Sequence, residues 1–316
     1  MLRLDCLVAL LSIVLGATSA SAQATTDWIT GAPREAMPVK QWPGGKKVAV
    51  CFVFDVEVWG KGQGPLFRPD MTDRRPDVVD EAFRQYAIES GVPRIGRLFK
   101  EQGVPLTVVL NAEYPEQHPA IWKEFRASVP KAPFVAHGIN NSTEMLPLDK
   151  GIAAQTAYIK QTIDRIEKGT GVRPRGWSSP SVYPNADTYA TTAAAGLKYT
   201  LDGMDSDVLS RLLTADGPLV MIPYPAQTVD MGHYLSRLKE SVDIERLWID
   251  YVSELAREAA ADPGRPATVV TIGVHPFVMG TPSGAASFRR VLETLKKQPL
   301  VWLTDTDAVM AAAGGR

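Results

Sequence analysis

The sequence predicts an α/β fold built on a parallel sheet and closed into a barrel. Three observations lead there. From Lys46 onward, short apolar runs alternate with segments of helical spacing, the pattern of parallel strands joined by helical crossovers. Several runs are wholly apolar and β-branched, as strands covered on both faces tend to be. The runs end in polar residues, and in a barrel such ends converge on one mouth, the usual place for chemistry.

The elements follow in order. Residues 1–22 carry Arg3, an apolar stretch from Leu7 to Leu15 and the ending Ala20-Ser21-Ala22, which reads as a secretory signal peptide cleaved after Ala22. Its apolar core is about half of the ~20 residues that a spanning helix needs, so no stable membrane insertion is expected after cleavage. The expected location is periplasmic or secreted. Residues 23–45 are rich in Pro, Thr and Gly without periodicity and read as an N-terminal leader that wraps the domain, and 46–316 read as one catalytic domain.

Strands are expected at 47–54, 105–111, 132–137, 173–178, 197–202, 218–224, 267–275 and 300–305. Helices are expected at 93–103, 153–171, 187–196, 244–262 and 284–298, with Gly103, Gly171 and Gly196 placed as C-terminal caps. Cys6 lies in the expected signal peptide, so the exported chain keeps only Cys51 and forms no intrachain disulfide. It must rely on its own core. With 34 basic and 35 acidic residues interspersed, it lacks the electrostatic footprint of a nucleic-acid binder.

The strand ends bring Asp55 and Glu57, Asn111, His137, Ser178, Asp202, Tyr224 and His275 into consideration. Asp55 and Glu57 stand two apart, so a strand that holds to its end points both carboxylates to one face. Such a pair binds a cation, shares a proton or leans on a basic partner. His137 and His275 each follow an apolar run, whereas His118 and His233 sit in polar loop contexts and read as structural. No HExxH, paired CxxC, GxSxG or Walker loop is present, and Gly60–Gly64 reads as a flexible rim loop because no helix follows it.

Taken in order, the stretches FVFDVE, LTVVLNAE, FVAHGINNS, TGVRPRGWSSP, LKYTLDGMDSD, IPYPAQTVDM and VVTIGVHPFVMG resemble the polysaccharide deacetylase superfamily, the NodB-homology domain of carbohydrate esterase family four. The resemblance runs from about Lys46 to Ala308 and is strongest to the branch of metal-independent allantoinases and peptidoglycan deacetylase-like proteins. It implies a deformed (β/α) barrel of about seven parallel strands that hydrolyses carbon–nitrogen bonds other than peptide bonds. It also implies roles: Asp55 as catalytic base, Glu57, His137 and Asn141 at the metal-ligand positions, and His275 as general acid. Two residues depart from the pattern. Asn141 replaces the second ligand histidine, and an amide oxygen is a poor zinc ligand beside imidazole. Ser178 stands where many relatives carry an Arg that pairs with the catalytic Asp, with Arg175 nearby in sequence.

The expected cofactor is therefore none or a weakly bound divalent metal such as zinc. Asp55 would activate water, His275 would protonate the leaving nitrogen, and His137 or an Asn would stabilise the oxyanion. Trp177, Ser178 and Tyr224 would bind substrate, the two aromatics as walls. The expected reaction removes N-acetyl groups from a glycan. The alternatives are hydrolysis of small cyclic amides, or a catalytically silent member that binds glycan.

Overall fold

The computed structural model describes residues 25–27, 30–67, 75–142 and 146–314. The expected signal peptide, with Cys6, lies outside them. One sheet holds β1 (Thr25–Thr26), β2 (Pro33–Ala36), β3 (Val48–Val56), β4 (Thr107–Leu110), β5 (Phe134–Ala136), β6 (Gly176–Trp177), β7 (Tyr199–Gly203), β8 (Ser210–Thr214), β9 (Gly217–Pro223), β10 (Thr268–Val274) and β11 (Val301–Thr304). The helices are α1 (Val78–Tyr86), α2 (Val92–Gln102), α3 (Glu113–Gln117), α4 (Pro119–Ser128), α5 (Gly151–Thr170), α6 (Thr188–Ala194), α7 (Ser241–Ala261), α8 (Pro282–Leu295) and α9 (Thr306–Ala312).

Seven strands run parallel in the order β10-β3-β4-β5-β6-β7-β9. The ring closes between β9 and β10 without a ladder. A single parallel bridge joins Val229 to Gly273, Thr271 Oγ1 donates to the Pro223 carbonyl at 2.7 Å, and Thr228 Oγ1 donates to the Thr271 carbonyl at 2.7 Å. That seam is the deformation of the barrel. At the other end of the order, β10 pairs with β3 along Val48–Phe54, while the opposite edge of β3 is shared by β11 and then β4.

The leader adds strands to this sheet. β2 pairs antiparallel with β8, the hairpin partner of β9, and Trp42 plugs the lower end of the barrel, its Nε1 donating to the Thr268 carbonyl at 2.7 Å.

Strand alternation divides the core in two. Inside the barrel, Ala49, Cys51, Val53, Val109, Val135, Tyr199, Leu201, Ile222 and Val269 pack on one another. Outside it, Val50, Phe52, Phe54, Val108, Phe134, Trp177, Ile272 and Val274 pack under the helices against Phe99, Phe125, Ile163, Trp248 and Phe288. Successive side chains of a strand point to opposite faces, so every strand-end residue inherits a face from the residue two before it. Asp55 and Glu57 follow Val53, His137 follows Val135, Tyr224 follows Ile222, and His275 follows Gly273 and Thr271. All fall on the inner face.

The helices α2, α5, α6, α7 and α8 lie where periodicity places them. The others carry less legible patterns. α1 buries the charged Asp80 and Arg84 and exposes Val78 and Val79, the reverse of an ordinary amphipathic helix. Its charges fasten the rim loop: Gly62 N–H donates to Glu81 Oε2 at 3.3 Å, Phe67 N–H to Asp80 Oδ1 at 2.6 Å, and Arg84 Nη1 to the Pro65 carbonyl at 3.0 Å. The segment expected as a flexible loop is thus tied down. Among the described residues no helix is long and apolar enough to cross a membrane.

Candidate active site

Five strands deliver the mouth. β3 carries Asp55 and, one residue beyond its end, Glu57; β5 leads into His137, β6 into Ser178, β9 into Tyr224 and β10 into His275. All six are buried. Burying this many ionisable groups costs free energy unless charges pair and hydrogen bonds replace water, so the pairing defines the site.

Two acid–base pairs emerge. Asp230, in the segment after β9, accepts from His275 at both ends: ring Nδ1–H at 2.6 Å and backbone N–H at 2.8 Å. This leaves Nε2 of His275 directed at the carboxylates, 3.7 Å from Asp55 Oδ2 and 3.8 Å from Glu57 Oε2. Burial opposes the imidazolium, but the fields of Asp55, Asp230 and Glu57 outweigh it and raise the His275 pKa to about 10. On the other side, His137 Nδ1–H donates to the Ser178 carbonyl at 2.9 Å and turns Nε2 toward Glu57 Oε1 at 3.3 Å. Burial works against charge on both. Their mutual attraction, with help from His275 at Glu57 and Asp55 at His137, holds Glu57 below the ordinary carboxylate range and His137 above the ordinary imidazole range.

Asp55 is the carboxylate left over. Burial raises its pKa, His275 pulls it back, and Glu57 adds to the rise, giving about 7. A carboxyl poised there can take or give a proton at neutral pH.

Several neighbours hold these groups in place. Asn111 donates its amide to the His137 carbonyl and accepts from Val58 N–H at 3.0 Å, clipping β3 to β5. Asp202 accepts from Ser179 N–H and Ser179 Oγ, both at 2.8 Å, which fixes the turn that presents the Ser178 carbonyl to His137. Gly138 lies at φ 75° under Pro180, whose ring occupies the space of a Cβ, so only glycine lets the two loops close on each other.

Some expectations need correction. Trp177 is on the outer face, buried in the core under the helices with its Nε1 donating to Ser179 Oγ at 3.0 Å, and is not a wall of the mouth. Strand parity explains this, since Trp177 precedes Ser178. Asn141 turns its amide N–H toward Glu57 Oε1 and so serves that carboxylate as a donor; flipping the amide would set oxygen against oxygen. Arg175 lies before β6, at the opposite end of the barrel, 3.6 Å from Asp307. The residue of the site that sequence reading missed is Asp230, which opens a short helical segment between β9 and α7; its signal was the Asp within TVDM, a stretch with no expected strand or helix to place it. His233 bonds the Gln227 carbonyl at 2.8 Å, a structural role.

Asp55, Glu57 and His137 also offer ligand atoms within 4.8 Å of one another. Their chemistry fits a divalent cation. The His137–Glu57 separation of 3.3 Å is the edge of a tetrahedron with ligands ~2.0–2.1 Å from its centre, and His137 anchors its other ring nitrogen on a carbonyl, as ligating histidines do. Among the described residues, Asp55 Oδ2, Glu57 Oε2, Asn141 Oδ1 and Ser178 Oγ are buried without a hydrogen-bond partner.

Solved structures show the same architecture. A probable polysaccharide deacetylase from Pseudomonas aeruginosa PAO1 superimposes with a TM-score of 0.75 at 23% identity, covering 87% of this chain and 93% of that one. The chain has the polysaccharide deacetylase fold. PuuE allantoinase shares that fold with a TM-score of 0.74 at 23% identity, over 87% of this chain and 93% of its own. No protein-family model matches the sequence, and no curated protein matches it. The polysaccharide deacetylase fold here thus rests on architecture, and its mouth is the end of the barrel that carries the two acid–base pairs.

Proposed function

We propose that the protein is an exported hydrolase of carbon–nitrogen amide bonds other than peptide bonds. The observation that carries this reading is the facing of Asp55 and His275 across 3.7 Å in a buried mouth, one a carboxyl near neutral pKa and the other an imidazole held charged by Asp55 and Asp230. Asp55 takes a proton from water as the water attacks the amide carbon. His275 Nε2–H then passes its proton to the leaving nitrogen as the carbon–nitrogen bond breaks. The proton now on Asp55 returns to His275 over the short gap, and the pair is reset. A divalent cation held by Asp55, Glu57 and His137 would act there as a Lewis acid toward the carbonyl.

The buried mouth favours a compact substrate over a polymer. Three of its four unpartnered atoms, Asp55 Oδ2, Glu57 Oε2 and Asn141 Oδ1, are acceptors, so the complementary ligand brings hydrogens of its own. Small amides bearing several N–H groups, cyclic amides among them, meet both conditions. Removal of N-acetyl groups from a glycan is the second reading, supported by the signal-peptide features of residues 1–22, which also support a periplasmic or secreted location. An intact base and acid argue against a silent glycan-binding role.

The test is product analysis. Purified protein is incubated with cyclic amides and with N-acetylated sugars and their oligomers. A ring-opened acid without acetate supports the compact-amide reading, and acetate from the sugars supports the second. Turnover that survives Asp55→Ala would remove the mechanism in either case.

A further inference from the structure

An amide hydrolase must hold the negative oxygen that appears when water adds to the carbonyl. Most hydrogens in the mouth are already committed. The Asn141 amide goes to Glu57, the Asn111 amide to the His137 carbonyl, both His137 nitrogens face Ser178 and Glu57, and His275 Nδ1 faces Asp230. Among the described residues, the donors left are His275 Nε2, the unpartnered hydroxyl of Ser178, and the hydroxyl of Tyr224, whose partner is Asp55, the group that takes up the proton of water. His275 Nε2 is needed by the leaving nitrogen. Ser178 follows β6 and backs His137, its carbonyl holding that ring.

Tyr224 is placed differently. It directly follows β9 on the inner face, and its hydroxyl lies in hydrogen-bonding contact with the Asp55 carboxyl. It gets there because residue 273 of β10 is glycine. A Cβ built on Gly273 would fall inside the van der Waals envelope of the Tyr224 hydroxyl. Gly273 pairs with Val53 and lies two residues before His275 on the same strand face, so the phenol arrives one layer beneath His275, beside the base. A tetrahedral carbon attacked from Asp55 and leaving toward His275 turns its oxygen to this third position. A phenol keeps its hydrogen at neutral pH, so it is available as a donor.

We propose that Tyr224 is a catalytic residue whose hydroxyl donates to the developing oxyanion, and that Gly273 is the residue that admits it. This rests on the amide-hydrolase reading.

The test compares wild type, Tyr224→Phe and Gly273→Ala on p-nitroacetanilide and on its thioamide counterpart. Sulfur accepts hydrogen bonds poorly, so wild type favours the oxygen substrate. Tyr224→Phe is expected to lower kcat ~10²-fold with KM within about threefold, and to collapse the oxygen-over-sulfur preference. Gly273→Ala, which keeps the hydroxyl but displaces it, is expected to do the same where it folds. An unchanged preference in Tyr224→Phe, or a loss carried wholly by KM, overturns the proposal. Phenylboronic acid, which takes up hydroxide to become a tetrahedral anion, gives a readout without turnover. Calorimetry should show ~10-fold or weaker binding to Tyr224→Phe than to wild type. Equal binding, or no binding to wild type, overturns the proposal. Absence of anilide turnover by wild type counts against the amide-hydrolase reading alone, and the boronate comparison still decides the role of Tyr224.

Discussion

Asp230 holds His275 by two atoms at once, accepting from its ring Nδ1–H at 2.6 Å and from its backbone N–H at 2.8 Å. The ring can neither rotate nor change tautomer without breaking the first bond, and Nε2 is left as the only nitrogen that can meet a substrate. Asp230→Asn keeps the size but removes the charge that supports the imidazolium. The expected result is a fall in kcat of ~10²-fold or more, with the alkaline limb of the pH–rate profile moving below its wild-type position. An unmoved limb would show that the acid is another group.

The pH dependence follows from the two shifted groups. Asp55 must be ionised to accept a proton from water, so kcat/KM rises as pH passes about 7. His275 must be protonated to serve the leaving nitrogen, so kcat/KM falls as pH passes about 10. The two limbs belong to the coupled pair. Steady-state rates between pH 5 and 11 check this, and a profile already flat from pH 5 would remove Asp55 as the base.

Asn141 stands beside the candidate cation-binding group of Asp55, Glu57 and His137. Its amide gives Glu57 a hydrogen where an imidazole would give a metal ion a lone pair. Asn141→His is expected to tighten zinc binding on the order of 10- to 100-fold, read by equilibrium dialysis, and Glu57→Gln to weaken it in the wild-type background. Equal zinc affinity of wild type and Asn141→His would place the cation elsewhere.

Ser178 and Trp177 are neighbours with opposite fates. The Ser178 hydroxyl is buried without a partner, so Ser178→Ala should leave stability unchanged or raise it by up to ~1 kcal/mol while raising KM. Trp177→Phe removes the bond to Ser179 and opens space in the outer core, at a cost of about 1–3 kcal/mol, with KM unchanged. Denaturant melts and KM measured side by side separate the two residues.

Much of this was legible in the chain. The run ending at Asp55 and Glu57, the apolar approaches to His137 and His275, and the helices capped near Gly103 and Gly171 all follow from local periodicity, which acts over a few residues. α1 was not legible, because it turns its charges inward to hold a loop and exposes its valines. Asp230 was not legible either, because the helical segment it opens is too short for a period to mark it.

By itself the sequence determined which residues stand at strand ends, and it placed the two carboxylates on one face through the two-residue repeat of a strand. The tertiary structure alone decided which face was the inside. That choice put Tyr224 in the mouth and Trp177 outside it, because a strand has two equivalent faces until the barrel closes and helices cover one of them. It also decided the pairing: Asp55 meets His275, and His275 meets Asp230, only because β3 and β10 lie side by side and the segment after β9 seals the seam next to them. Charge pairing in a buried mouth depends on distances of a few ångströms between distant parts of the chain, and those distances are set by closure of the barrel.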